Sequence, residues 1–257
     1  MKAKKGVHKK KQKNILAPLV VLGIILVVWE ASTRLFNIPR TIFPPISSII
    51  IQTIDNFAVN IWSHVLVTIR TVLLGMVIAI PLGVLLAAVF SQFKVLRYGM
   101  TPIVLILVVT PMITLVPLFM LWMGFDYGPR FIVVVVQCTP IILLNTLTGF
   151  CQTSSKYLEL MKGYGSSKLK TFVKVVFPNA LPQVFTGIKL GCIFSTIATT
   201  SIEMVAGQPG LGYRVTYFSG QIQTELVFGC IICIASIGLL LYTLISIIEK
   251  RVVTWIQ

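Results

Sequence analysis

Residues 153–182 read TSSKYLELMKGYGSSKLKTFVKVVFPNALP, a polar piece with five lysines set between two of the longest apolar runs of the chain. From Lys156 to Tyr164 the pattern is weakly helical, with Ser154 or Ser155 as cap candidates and Glu159 early enough to favour the positive helix end. Gly163 and Gly165 break that helix. Ser166 or Ser167 can cap a second one, in which Leu169, Phe172, Val173 and Val176 follow i, i+3, i+4, i+7 spacing and Pro178 marks the end. The expected product is a helix-turn-helix across residues 152–178, too charged to insert into a membrane.

What surrounds this piece is apolar. The 257 residues are 56% hydrophobic and only 11% charged, against about 25% charged in an ordinary soluble domain, and the mean hydropathy is +0.93. Blocks of about 20 apolar residues, each able to cross about 30 Å as a helix, take up most of the length. The fold class is all-α integral membrane, with six transmembrane helices expected near 15–35, 65–90, 96–123, 131–150, 180–204 and 226–248, and the polar piece between the fourth and fifth. A single transmembrane domain over 15–257 follows a lysine-rich tail over 1–14. That start could also be read as a signal peptide, but its apolar run is long and the cleavage site poor.

Charge sets the orientation. With both termini and the polar piece on the cytoplasmic side, sixteen of the basic residues lie inside and only Arg34, Arg40, Arg130 and Arg214 outside, as the positive-inside rule requires. The net charge of +15 therefore points to membrane topology, and no aromatic-interleaved basic surface or Cys/His finger speaks for nucleic acid. The five cysteines fall in or at the edges of apolar blocks; the pair Cys230 and Cys233 lacks the His or second pair that a zinc site needs.

Several intramembrane features have two readings. Pro102, Pro111 and Pro117 in the third span mark a kinked or unwound element, either lining a pathway or only packing. Gly187, Gly191, Ser195 and Thr199 recur every fourth residue as a small-residue seam. Arg70, Lys189 and Glu203 are ionisable groups within spans, where an ion pair of Arg70 with Glu203 or snorkelling of Lys189 would lower the cost. The segment Ile46–Phe57 reads as a short amphipathic helix on the outer surface or a plain connector, and the loop Ala206–Glu225 as an outer docking loop or a hairpin. The stretch GYGSSK lacks the spacing of a phosphate loop, so the chain shows no nucleotide site of its own.

The sequence resembles the permease subunit of binding-protein-dependent ABC importers, whose cytoplasmic loop carries Glu-Ala-Ala, three residues, Gly, nine residues, then Ile-x-Leu-Pro. Here Glu159, Leu160 and Met161 take the first three places, Gly165 the glycine, and Val175, Phe177 and Pro178 the last group; Leu160 and Met161 replace the two alanines. TPMITLVPLFMLWMGF, PIILLNTLTG and IEMVAGQPGLG resemble the nitrate, sulfonate and taurine branch. The resemblance implies a non-catalytic subunit of a bacterial cell membrane that binds no cofactor itself. It implies as partners two ATPase subunits holding ATP and Mg, a second permease copy as a homodimer, an external solute-binding protein and membrane lipid. It implies ATPase coupling through Glu159, Leu160, Met161, Gly165, Ser166, Leu169, Phe172 and Pro178; the intramembrane features above make Arg70, Pro111, Pro117, Ser195, Thr199 and Glu203 the pathway candidates. An ion-coupled secondary transporter or channel is the alternative, although no inverted repeat or midplane acidic site is visible.

Overall fold

The structure, a computed structural model, describes residues 16–124 and 128–255; the basic tail expected over 1–14 lies outside the described residues. Among the described residues every regular element is a helix, as an apolar chain demands when its backbone groups must be satisfied within each segment. The elements run α1 (Leu16–Leu35), α2 (Ile46–Asn56), α3 (Trp62–Gln92), α4 (Lys94–Val109), α5 (Met112–Met123), α6 (Gly128–Cys151), α7 (Ser155–Gly163), α8 (Lys168–Thr171), α9 (Phe177–Val205), α10 (Leu211–Gly220) and α11 (Thr224–Val252). Single π-turns at Phe57–Ile61 and Phe172–Val176 join α2 to α3 and α8 to α9. Among the described residues five helical runs are long and apolar enough to cross a membrane, and a sixth crossing results if α4 and α5 count as one broken span.

The centre is α6, held between α3 and α9. Val72, Val116, Val133, Val134, Ile142 and Ile202 form its main buried cluster. Helices in a bilayer gain little from burying apolar surface against one another, so close contact has to come from small residues. The seam does this: a side chain on Gly187 would place its Cβ 3.0 Å from Asn145 Cβ and 3.2 Å from Ile142 Cα. Gly191 meets Met76 and Ile142 in the same way, and Ser195 and Thr199 continue the seam fully buried.

Around this core α1 and α11 are mostly uncovered. The C-terminal end of α1 docks through Trp29, which stacks on Phe43 at 4.7 Å and meets Phe228 edge-on. Glu30 accepts hydrogen bonds from the Ser47 amide (3.1 Å) and hydroxyl (2.8 Å), so a carboxylate from one helix caps the N-terminus of α2. The amphipathic segment is therefore a real helix, yet it buries only part of its apolar stripe. Ile49 goes under, Ile50 and Ile54 stay exposed, and the helix runs on through its π-turn into α3.

The third span is more broken than a kink. α4 and α5 meet at 96°. Of the three prolines only Pro111 breaks the run, because its ring holds Thr110 in an extended conformation (ψ 121°), whereas Pro102 and Pro117 sit inside continuous helices. Hydroxyls cover the carbonyls at the joint: Thr110 Oγ1 donates to the Ile106 carbonyl at 2.8 Å and Thr114 Oγ1 to that of Pro111 at 2.7 Å.

Two further expectations change. Arg70 forms no pair with Glu203; it is exposed and makes no hydrogen bond or ion pair among the described residues. Lys189 does not merely snorkel, since its Nζ lies 2.7 Å from Glu249 Oε2 on α11 and 5.9 Å from the Tyr242 ring centroid. Cys230 packs in the cluster of Ile61, Leu211 and Phe218, and both thiols of the C-x-x-C are free.

Candidate functional site

Two connections stand out, one at each end of the bundle. The basic end carries the helix-turn-helix, called here the bracket. α7 closes with a Schellman turn in which the Ser166 amide donates to the Met161 carbonyl and the Gly165 amide to that of Lys162, both at 3.0 Å. This turn needs one left-handed residue, and Gly165 supplies it with φ +66°; any other residue there pays for its Cβ. Gly163 remains helical, so of the two glycines expected to end α7 only Gly165 does so.

Ser167 caps α8, its Oγ accepting from the Lys170 amide at 3.3 Å. Ser154 precedes α7 without a side-chain cap bond. Pro178, expected to end the second helix, lies instead in the first turn of α9 within one helical run over Lys168–Val205. The π-turn at 172–176 supplies the reason: a proline clashes with the carbonyl four residues back, and a turn bonded over five residues widens the helix at that point. Phe172 lies against Phe150 at 5.0 Å between ring centroids, and Phe150 also meets Phe177, so the aromatic corner fixes the bracket to the end of α6.

The bracket's other face has no cover. Tyr157, Leu160 and Tyr164 fall on one side of α7 and are each more than half exposed, as is Leu169 of α8. Glu159 is exposed beside them and lines a shallow hollow with Lys156, Leu160 and Tyr164. Met161, Ser166, Phe172 and Pro178 are half-buried. The proposed coupling residues thus divide into an outward group (Glu159, Leu160, Leu169), an inward group (Met161, Ser166, Phe172, Pro178) and the hinge Gly165. Tyr157 and Tyr164 belong with the outward group and were missed, although their i, i+3, i+7 spacing with Leu160 was readable.

At the opposite end lies a clasp built on Glu203. Its carboxylate is fully buried and accepts from Thr68 Oγ1 at 2.8 Å and from the Gly212 amide at 2.9 Å. The Leu211 amide donates to Thr68 Oγ1 at 2.9 Å, and the Gly210 amide to His64 Nδ1 at 2.9 Å. These amides are the start of α10, whose positive end suits an anion. Arg130 of α6 donates to the Pro209 carbonyl at 3.1 Å and also bonds Gln208. Arg214 donates to the Asn60 carbonyl at 2.8 Å. A Cβ at Gly210 would land on the Glu203 carboxylate, and one at Gly212 would come 2.9 Å from Glu203 Cβ, so the Gly-Leu-Gly sequence is a close-approach requirement. The loop over Ala206–Glu225 is accordingly no simple hairpin: it holds a ten-residue helix packed on α3, α9 and α11, and the turn before it is bonded to Arg130 of α6.

The six pathway candidates do not converge within one chain. Ser195, Thr199 and Glu203 are buried in the bundle, whereas Arg70, Pro111 and Pro117 lie on its surface. Arg70 shares an uncovered face of α3 with Leu66, Leu73, Leu74 and Val77.

Residues 79–254 match the family described as binding-protein-dependent transport system inner membrane component. The chain is 27% identical over 246 residues to the formylaminopyrimidine transport permease ThiX of Halalkalibacterium halodurans, covering 96% of this chain and 98% of the relative. It is 23% identical to the putative aliphatic sulfonates transport permease SsuC of Bacillus subtilis, over 95% and 87% of the two chains. Its fold is that of a chain of the inward-facing MetNI methionine ABC transporter, with a TM-score of 0.61, 18% identity, and coverage of 78% of this chain and 98% of that one.

Proposed function

The chain belongs to the family of binding-protein-dependent transport system inner membrane components, the permease subunits of ABC importers, and from that premise we propose how it is driven and what it carries. The bracket lies on the cytoplasmic side, with both termini, and docks in a groove of a separate ATPase subunit through Tyr157, Glu159, Leu160, Tyr164 and Leu169. One observation carries this reading: an apolar strip with a carboxylate stands uncovered on a polar segment that a Schellman turn and an aromatic corner hold stiff. Closure of two ATPase subunits on ATP and Mg would move two brackets, one from each of two permease copies. The corner at Phe150, Phe172 and Phe177 would carry that motion into α6 and α9, and rocking of these helices would alternate access.

Cargo would reach the opposite face on an external solute-binding protein that meets α10 and its flanking turns. The pathway would form between the two copies, on the uncovered faces that hold Arg70, Pro111 and Pro117, while Ser195, Thr199 and Glu203 support it from behind. An intramembrane arginine costs about 2.5–3.5 kcal/mol on insertion scales, and a water-filled passage or an anionic cargo group would offset this. The cargo class is a small polar solute of the kind for which the relatives are named, a sulfonate or a pyrimidine vitamin precursor.

Reconstitution tests the reading. The chain alone should hydrolyse no ATP, and adding the cognate ATPase should give hydrolysis and uptake that the loaded binding protein stimulates. Uptake driven by an ion gradient without any ATPase would overturn it and favour a secondary transporter.

A further inference from the structure

The bracket's inner side roofs a cavity of about 470 Å³ between the ends of α3, α4 and α6. Arg97, Lys162 and Lys168 line it, one each from α4, α7 and α8, and among the described residues no acidic one does. Among the described residues the Arg97 guanidinium bonds Cys151 Sγ at 3.2 Å and the hydroxyl of Tyr98 at 2.9 Å, neither of which neutralises it. Ser166 Oγ, another lining group, is buried with no hydrogen-bond partner among the described residues. Three cations and an unanswered hydroxyl facing one space constitute a site for an anion.

The space has an apolar extension. A groove of about 340 Å³ adjoins it, sharing Gln92, Lys168 and Phe172 and lined further by Ala88, Val89, Phe93 and Leu169. The groove follows the end of α3, where the apolar span meets the basic residues Lys94 and Arg97 and so marks a membrane surface. A cationic chamber opening into an apolar channel at that depth has the polarity profile of a phospholipid.

We propose that this composite site binds one anionic phospholipid, its phosphodiester among Arg97, Lys162, Lys168 and Ser166 and an acyl chain along Ala88, Val89 and Phe93. The lipid headgroup then ties α7 and α8 to α3 and α4, bracing the bracket against the bundle from the side opposite Tyr157, Leu160 and Tyr164. Lysines and arginines near an anionic lipid surface each add to its attraction, so three together favour an anionic over a zwitterionic headgroup.

The test needs neither ATPase nor cargo, so its failure leaves the transport reading untouched. The purified chain in detergent is mixed with phosphatidylglycerol, phosphatidylcholine or inorganic phosphate, and bound adducts are counted by native mass spectrometry. Phosphatidylglycerol should be retained at least about tenfold better than phosphatidylcholine. The variant Arg97→Gln/Lys162→Gln/Lys168→Gln should lose that preference. Val89→Trp, which fills the groove, should weaken phosphatidylglycerol retention and spare any phosphate adduct. Exposed Lys162→Gln alone should give a partial loss in a chain of unchanged fold. Equal retention of both lipids, an undiminished preference in the triple variant, or phosphatidylglycerol retention that Val89→Trp leaves unchanged would each overturn the proposal.

Discussion

The bracket and the clasp are both glycine-bearing connections between spans, and they are stabilised in opposite ways. Bonds in the bracket's turn link residues three to five apart, as from Ser166 to Met161, and its apolar strip is left bare. In the clasp the turn is fixed by side chains from distant helices: Thr68 reaches Glu203 across 135 residues, and the Leu211 amide reaches Thr68 across 143. A segment that keeps its shape by local bonds can move as a unit and offer its surface to another protein. One whose bonds run into three spans is part of the bundle and moves only when the bundle does. The contrast suits the proposed division, in which the bracket couples to the ATPase and the clasp holds the opposite face together.

Mutations can break this contrast from either side. The largest effect should come from Glu159→Lys or Leu160→Asp, which alter the bare strip alone. Each should reduce co-purification with the ATPase by more than about tenfold, equivalent to about 1.4 kcal/mol, with little change in the melting temperature of the chain itself. Next is Glu203→Ala, which orphans the Gly212 amide and the Thr68 hydroxyl inside the bundle. A buried group left without its partner costs about 1–3 kcal/mol, so thermal unfolding in detergent should fall by several degrees while ATPase association holds. Glu203→Gln, which retains an acceptor, should fall less.

Gly165→Ala places a Cβ at φ +66°, where strain of about 1 kcal/mol is expected. Faster hydrogen exchange over 164–167 with unchanged global stability would register it. The smallest effect is Ser167→Ala, which removes a long, exposed cap bond of α8 (3.3 Å) at about 0.5 kcal/mol, the low end for such caps, visible as faster exchange at Lys170. If Glu203→Ala abolished ATPase binding as fully as Leu160→Asp, the division of labour between the two ends would be wrong.

How far each region could be read in advance follows from the same distinction. The bracket was legible because its determinants are local: capping serine, apolar spacing, and a glycine at the place where the helix must turn left-handed. Even so, the sequence placed the break at both Gly163 and Gly165 and ended the helix at Pro178, because a π-turn that absorbs a proline leaves no mark in residue pattern. The spans were legible from hydropathy, but Pro102, Pro111 and Pro117 look alike on paper, and only packing decides that the chain turns through 96° at the second. The clasp was legible only as a stray Glu203 near a Gly-rich loop. Its partners Thr68, His64 and Arg130 come from other helices, and no periodicity in one sequence joins them. The Lys189 to Glu249 pair was missed for the same reason, being set by how α9 lies against α11.

The central claim is that the bare strip of α7 is gripped by a separate ATPase, and site-specific photocross-linking tests it most directly. With benzoylphenylalanine at position 160 in native membranes, the account predicts a covalent adduct with the ATPase subunit whose yield changes when ATP is added, and no such adduct from position 218, where Phe218 is buried in the opposite half. An adduct confined to lipid at position 160, in membranes where uptake still proceeds, would contradict it.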